Sequence, residues 1–177
     1  MAIEIEERVS QWSPRLDEFV SSDSLKNYPD DQRHGSIHSA LTNLDLASFA
    51  GHGVEDENSL ACCHSGLWLL HHYLDESHQI SQSVDTPEGS WWHAIMHRLE
   101  GDFGNSKYWY RRVGSHPCWE ANSLELTGEP DGTWSPFDYV DQCRDQSISQ
   151  IEQRRTAQME WLVLFEHCWN LATGTQS

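Results

Sequence analysis

The chain has 177 residues, of which 37% are hydrophobic and nine are tryptophan, so it is long enough to bury a core and lacks the composition of a disordered protein. Its 28 acidic residues against 11 Lys and Arg give a formal charge of −17, which repels phosphate groups and argues against nucleic-acid binding. We expect one domain over residues 1–177.

No segment approaches the roughly 20 apolar residues that a membrane-spanning helix needs, and the longest apolar run is WLVLF at 161–165. The acidic start MAIEIEERVSQ has no apolar region, so we expect no secretory signal, no membrane association and a cytoplasmic protein. The five cysteines are odd in number and show no C-x-x-C spacing, which predicts buried thiols in a reducing compartment.

Residues 1–57 are expected to form a peripheral N-terminal segment with short helices near 13–21 and 36–49. Ser13 and Pro14 are residues typical of a cap and a first helical turn. The following stretch, 51–59, reads as a loop because of its glycines and polar residues.

From Asn58 the pattern becomes helical, because apolar residues recur at intervals of three and four up to Leu74. Beside this apolar stripe, His64, His71 and His78 follow one another at intervals of seven, which separates them by only about 20° around a helix. The spacing predicts a helix that runs to His78 with an imidazole-rich flank.

Thr86-Pro87-Glu88 has the residues of a helix start, and a helix is predicted over 87–100. His93, His97 and Glu100 share one face of it. If the chain reverses within 79–86, the two helices form a hairpin that brings their histidine flanks together, and 58–117 becomes a His/Arg-rich core segment.

Further helices are predicted around Lys107 and Arg111, over 137–146, and from the capping-box candidate Ser149-x-x-Glu152 to Gly174, so that 136–173 holds the C-terminal helices. Residues 118–135 read as an extended loop. Because no stretch alternates like a strand, the sequence predicts an all-α, single-domain, irregular helical bundle with long loops.

Two histidines four residues apart on a helix are spaced as ligands for one metal ion. The zinc-protease pattern H-E-x-x-H is absent, since Ala94 follows His93, and glutamates are too few for a di-iron site. We expect a mononuclear site for Zn, Fe or Ni, and its predicted ligands are His71, His78, His93 and His97. The alternative is that these histidines are half-buried and only hydrogen-bonded.

Four of the eleven positive charges fall within residues 98–112, among aromatic side chains. Guanidinium groups bind carboxylate or phosphate by paired hydrogen bonds, so a small anionic ligand is the predicted occupant. The candidate ligand-binding residues are Arg98, Asn105, Tyr108, Trp109, Arg111 and Arg112, and the candidate catalytic carboxylates are Glu100 and Asp102. Alternatively, the arginines are structural partners of nearby acidic residues.

A distinctive pattern begins with Trp92-His93-Ala94-Ile95-Met96-His97-Arg98 and continues with Glu100, Asp102, Asn105, Tyr108-Trp109, Arg111-Arg112-Val113-Gly114 and His116-Pro117. This pattern resembles that of an uncharacterised bacterial and fungal family. The similarity covers roughly 64–117. At Leu99 and Gly101 this chain departs from the family, which tends to have Arg and Pro there. The resemblance marks a location and implies no activity.

The leading hypothesis is therefore a pocket of histidines and carboxylates, rimmed by arginines, that binds a divalent metal and a small anion for hydrolysis or lyase chemistry. A rival hypothesis is a non-enzymatic module in which the histidines and arginines form a buried hydrogen-bonded network. A third is a metal-free protein that binds an anionic ligand.

Overall fold

The computed structural model of the chain describes residues 8–9, 11–29, 35–51, 53–129 and 132–175. Within these ranges the chain forms ten α-helices and no strand, which confirms the predicted all-α class. The α-helices are α1 (Ser22–Asn27), α2 (Gly35–Thr42), α3 (Glu57–Leu70), α4 (Leu74–Ser81), α5 (Pro87–Leu99), α6 (Phe103–Val113), α7 (Pro117–Ala121), α8 (Ser123–Thr127), α9 (Pro136–Asp145) and α10 (Gln150–Thr173). Short 3-10 helices span Pro14–Glu18 and Leu46–Phe49.

Two predicted helix starts have the side-chain caps that the sequence indicated. The Thr86 hydroxyl accepts a hydrogen bond from the amide of Gly89 and Pro87 opens α5. At the start of α10, Ser149 and Glu152 cap each other reciprocally. These caps satisfy amide groups that have no partner within the helix, so the positions of α5 and α10 are fixed locally.

The predicted helix from Asn58 to His78 is interrupted. Its first part, α3, ends at Leu70, and His72 takes a left-handed conformation with a φ of 61°. The amide of Tyr73 then donates to the carbonyl of Trp68, 2.9 Å away, which is the hydrogen bond of a Schellman helix end. The chain changes direction there and α4 begins at Leu74, so residues before and after His72 do not share a face.

The centre of the fold lies where α3, α5 and α10 pack together, with α4 against α3 and α5, and α6 beside α5. Trp92 and Trp161 are fully buried at this contact, and their ring centroids lie 6.1 Å apart. Gly66 of α3 leaves room for them: a Cβ there would lie 2.7 Å from the Trp92 ring. The Trp161 indole N–H donates to the carbonyl of Gly66, 2.8 Å away, and this ties α10 to the same point.

Two parts of the chain outside the central helices add to the fold. The described part of the N-terminal segment contributes Leu16, Leu25 and Leu41 to the core, each at most 1% exposed. The stretch 118–135, expected to be a loop, contains most of α7 and all of α8, whose short length hid their helical spacing. Among the described residues, no helix combines the length and apolarity needed to cross a membrane.

Candidate functional site

Three histidines meet at the junction of α4 and α5. One ring nitrogen from each of His78, His93 and His97 can be chosen so that all three lie within 4.8 Å of one another. Because α5 carries its two histidines four residues apart, both rings project toward α4, where His78 completes the triangle. This geometry confirms the predicted approach of His78 to the α5 pair, and we call these residues the α4/α5 triad.

Hydrogen bonds at the back of the triad fix two of its rings. Nδ1 of His93 lies 3.1 Å from the Ser81 hydroxyl, and Nδ1 of His97 lies 3.2 Å from Oε2 of Glu100. If each Nδ1 carries its proton toward these oxygens, the Nε2 of both rings keeps a free lone pair. Metal-binding histidines in proteins are oriented in this way by an oxygen acceptor behind the ring.

The electrostatics of the triad favour neutral imidazoles. Burial, helped by the neighbouring His78 and His97, lowers the pKa of His93 to about 3. Burial also lowers the pKa of His97, against the opposing attraction of Glu100 and Asp102. Since a metal binds only the unprotonated ring, His93 and His97 do not have to release protons before binding an ion at neutral pH.

Access to the triad is one-sided. His93 is 2% and His97 9% exposed, and the Trp109 ring of α6 covers His93 with the ring centroids 4.0 Å apart. His78 is only half-buried, so an ion or a small molecule would approach from the α4 side. Outside Trp109, the guanidinium of Arg112 lies 5.1 Å from the indole centroid and forms an exposed ion pair with Asp85.

His71, the fourth predicted ligand, lies elsewhere. Its Nε2 lies 2.8 Å from the carbonyl oxygen of Phe19, so the ring connects the end of α3 to the N-terminal segment. His64 similarly faces the carbonyl of Leu41 at 3.0 Å. The spacing of seven was misleading because the backbone turn at His72 separates His71 from His78.

Arg98 was predicted on the rim of the pocket and is instead buried on another face of α5. It pairs with the fully buried Glu160 of α10 and donates to the Tyr110 hydroxyl, 2.6 Å away. The same carboxylate accepts from the Trp91 indole at 2.8 Å. Neighbouring residues point about 100° apart on a helix, so Arg98 cannot share the His97 face. The contacts of Arg98 therefore agree with the rival hypothesis of a buried hydrogen-bonded network.

Most of the remaining candidates lie on the surface of α6. Lys107 pairs with Asp141 at 2.6 Å, and the Arg111 guanidinium lies 6.0 Å from the Phe137 ring centroid. Tyr108 is half exposed. The predicted basic island is thus spread over several directions and does not converge on the triad.

The two predicted catalytic carboxylates act as local supports. Glu100 contacts His97, as described above. Asp102 caps α6, accepting from both the amide and the side chain of Asn105 at 3.0 and 2.8 Å. Those hydrogen bonds lower the pKa of Asp102, which is exposed and ionised at neutral pH. Neither carboxylate stands free as a proton acceptor inside the triad.

A second imidazole cluster was missed from the sequence. The imidazoles of His116 and His167 and the thiol of Cys118 have ligand atoms within 4.8 Å of one another. Both rings contact one oxygen of Glu88, with Nε2 to Oε1 distances of 3.3 Å. Glu88, the His116–Cys118 stretch and His167 come from three separate parts of the chain, so no single sequence spacing predicts their meeting; we call these four residues the Glu88 cluster.

The chain matches no protein-family model, no curated protein and no solved structure. The side chains of the two clusters are therefore what indicates a function.

Proposed function

We propose that the protein binds one divalent metal ion, preferentially zinc, through His78, His93 and His97. The observation that supports this most is the convergence of three ring nitrogens on one point, within 4.8 Å of one another. Three imidazoles form a common protein ligand set for a zinc ion that keeps one position open. Iron and nickel also accept imidazole ligands and are the competing ions.

The hydrogen bonds behind the rings support the same assignment. Ser81 and Glu100 each occupy an Nδ1, so the ring nitrogens facing the centre of the triad would be Nε2 atoms with free lone pairs. Since burial keeps His93 and His97 neutral, the site would be ready for a cation at neutral pH. Both features support the proposed metal site.

Hydrolysis is the reaction class that such a site favours. A divalent ion with an open position polarises a substrate oxygen or lowers the pKa of bound water. The residues of this chain would hold the ion, orient the rings through Ser81 and Glu100, and exclude water from the Trp109 side. An anionic group on the substrate would depend on Arg112, because Arg98 is committed to Glu160. We place this activity in the cytoplasm, since all five thiols are unpaired.

The rival proposal is a metal-free hydrogen-bonded cluster with no catalytic role. The specific observation in its favour is that His93 is already satisfied by Ser81 and covered by Trp109. Under this proposal the triad stabilises the contact between α4 and α5 and binds nothing.

Elemental analysis and zinc titration of tag-free protein test the proposal. We expect one zinc per chain, and saturation at 100 times Kd should raise the free energy of unfolding by about 2.7 kcal/mol. His93→Ala should abolish binding, whereas His64→Ala should retain it, because His64 is a half-buried histidine that faces a backbone carbonyl outside the triad. A parent protein that binds no metal, or equal binding by both variants, would support the rival.

A further inference from the structure

The Glu88 cluster is assembled from three helices around a cysteine. Glu88 lies in the first turn of α5, His116 immediately precedes α7, Cys118 is the second residue of α7, and His167 lies in the last third of α10. Glu88 and His116 have side chains only 14% and 4% exposed. The arrangement is therefore part of the packed interior where these helices meet, with the thiol at its outer side.

The hydrogen bonds assign different tasks to the two imidazoles. His116 accepts the backbone amide of Cys118 at Nδ1, 3.2 Å away, and its Nε2 donates to Glu88, so both of its nitrogens are occupied. His167 donates from Nε2 to the same carboxylate oxygen, which leaves its Nδ1 for the Cys118 thiol. Thiol, imidazole and carboxylate thus form a chain in which only His167 can exchange a proton with sulfur.

These hydrogen bonds argue against a metal ion at the Glu88 cluster. Cysteine and histidine are common zinc ligands, and the spacing of the atoms alone would permit an ion. A zinc ion would have to displace either the Cys118 amide or Glu88 from His116, because that ring has no free lone pair. A nucleophilic thiol needs no such rearrangement.

The thiol has access to solvent through a pocket. Cys118 and His167 line a cavity of about 750 Å³ together with Asn122, Asn170 and the carboxylates of Glu55 and Glu166. Cys118 is half-buried, whereas the other four cysteines are buried. A small polar molecule could therefore reach this sulfur, and Glu55 disfavours an anionic one, since Arg8 already pairs with Glu166.

We propose that Cys118 is a nucleophile that accepts an acyl group from a small, uncharged or cationic ester, thioester or amide, with His167 as its acid and base and Glu88 as the positioning residue. The sulfur forms a bond to the acyl carbon while the bond from that carbon to the leaving group breaks. The proton on His167 moves to the leaving group. Water then attacks the thioester carbon and gives a proton to His167, the carbon–sulfur bond breaks, and the thiolate and a carboxylic acid are released.

The electrostatics agree with this assignment. Against the effect of burial, the neighbouring imidazoles of His116 and His167 lower the pKa of the Cys118 thiol to about 7, and His167 is the one with a nitrogen free to bond the sulfur. Hydrogen bonds to Cys118 and Glu88 raise the pKa of His167 to about 9. At neutral pH much of the pair is thiolate and imidazolium, which is the reactive form of a catalytic cysteine. The charged groups that line the pocket are Glu55, Glu166 and His167, with Arg8 paired to Glu166, and Glu88 and His116 lie behind Cys118.

The first experiment is alkylation of the folded parent protein with iodoacetamide across pH 5 to 10, followed by peptide mass spectrometry. We expect the rate at Cys118 to be half-maximal near pH 7 and, at pH 6.5, about fivefold faster than that of free cysteine. Glu88→Gln should move the midpoint toward higher pH, which a purely structural role would not do. A Cys118 that reacts no faster than free cysteine would overturn the proposal without any variant.

The second experiment uses 4-nitrophenyl acetate as the acyl donor. We expect one equivalent of nitrophenolate in a burst and one acetyl group on Cys118, both lost in Cys118→Ala and retained in the matched control Cys143→Ala, a buried cysteine remote from Glu88. Absence of the acetyl group from Cys118 would overturn the assignment. So would bound zinc that Cys118→Ala loses and His93→Ala keeps, whereas zinc lost only in His93→Ala concerns the triad and leaves this proposal standing.

Discussion

The α4/α5 triad and the Glu88 cluster contain the same side chain in opposite electrostatic states. In the triad, the nearest carboxylate, Glu100, is 39% exposed and contacts one ring only. In the Glu88 cluster, the carboxylate is 14% exposed and contacts both rings. Burial therefore keeps His93 neutral, whereas hydrogen bonds to Cys118 and to the shared carboxylate of Glu88 keep His167 protonated.

This difference suggests different chemistry for the two clusters. Neutral imidazoles offer lone pairs, which suits a cation, whereas a protonated imidazole stabilises a neighbouring thiolate. The position of one carboxylate thus influences the charge of the imidazoles more than the number of histidines does. Four predictions follow from this comparison, in order of decreasing effect.

Removing the counter-ion should have the largest effect. Glu88→Ala leaves His116 and His167 without their common acceptor in a mostly buried place, and we expect the free energy of unfolding to fall by about 3 kcal/mol. The matched change in the triad, Glu100→Ala, should cost less than about 1 kcal/mol because Glu100 is exposed and contacts a single ring. Urea unfolding of both variants at pH 7 measures the difference, and equal losses would remove the distinction between the clusters.

Acid should affect the triad first. The pKa of His93 is about 3 in the folded protein and near 6.5 in the unfolded chain, so only the unfolded state takes up this proton between those values. The contribution to stability is present above pH 6.5 and is lost as the pH falls, at up to about 1.4 kcal/mol per pH unit.

Between pH 6.5 and 5, the free energy of unfolding measured in urea should therefore fall by about 2 kcal/mol less in His93→Gln than in the parent. His167→Gln should not reduce the pH dependence of stability in this range, because the raised pKa of His167 means that its ring already holds the proton. An unchanged acid slope in His93→Gln would show that His93 is not the buried neutral group.

Ser81 should influence the triad more weakly. Ser81→Ala removes the oxygen behind Nδ1 of His93, and loss of such a partner typically weakens metal binding about tenfold, equivalent to about 1.4 kcal/mol. Ser83→Ala is the control, since its exposed hydroxyl donates only to the carbonyl of Ile80. Zinc competition with a chromophoric chelator measures both affinities. Identical values for the two variants would show that Ser81 does not support metal binding.

The smallest effect should come from Arg112. Its ion pair with Asp85 is exposed, so Arg112→Ala should change the free energy of unfolding by less than about 0.5 kcal/mol and leave zinc binding intact. Inhibition of any zinc-dependent activity by inorganic phosphate should weaken in this variant if Arg112 orients an anion. Unchanged inhibition would show that Arg112 does not contribute to anion binding at the site.

The sequence was most informative where local signals decide the structure. Thr86 and Pro87 placed the start of α5, and the spacing of four placed His93 and His97 together, because helix periodicity is a local property. His71 was assigned wrongly since a left-handed residue other than glycine, His72, ends α3 without a sequence signal.

Long-range contacts explain the remaining errors. Arg98 follows His97 directly, yet its buried partner Glu160 lies 62 residues away, and only packing of α5 on α10 shows which way Arg98 points. The Glu88 cluster likewise depends on a contact between residues 79 positions apart, Glu88 and His167. A single sequence carries no signal for such pairs, apart from the His116-Pro117-Cys118 stretch, whose last residue falls in the segment that reads as a loop.

Helix α5 carries residues of both clusters and fixes their separation. Glu88 and His97 are nine positions apart, which places them about 14 Å apart along the helix axis at 1.5 Å per residue. The tryptophan contact at Gly66 lies between them and holds this helix against α3. Glu88 and His93, the nearest pair on this helix, are five positions or about 7.5 Å apart along the axis. Two small reagents could therefore occupy the protein at once, each reporting on its own centre.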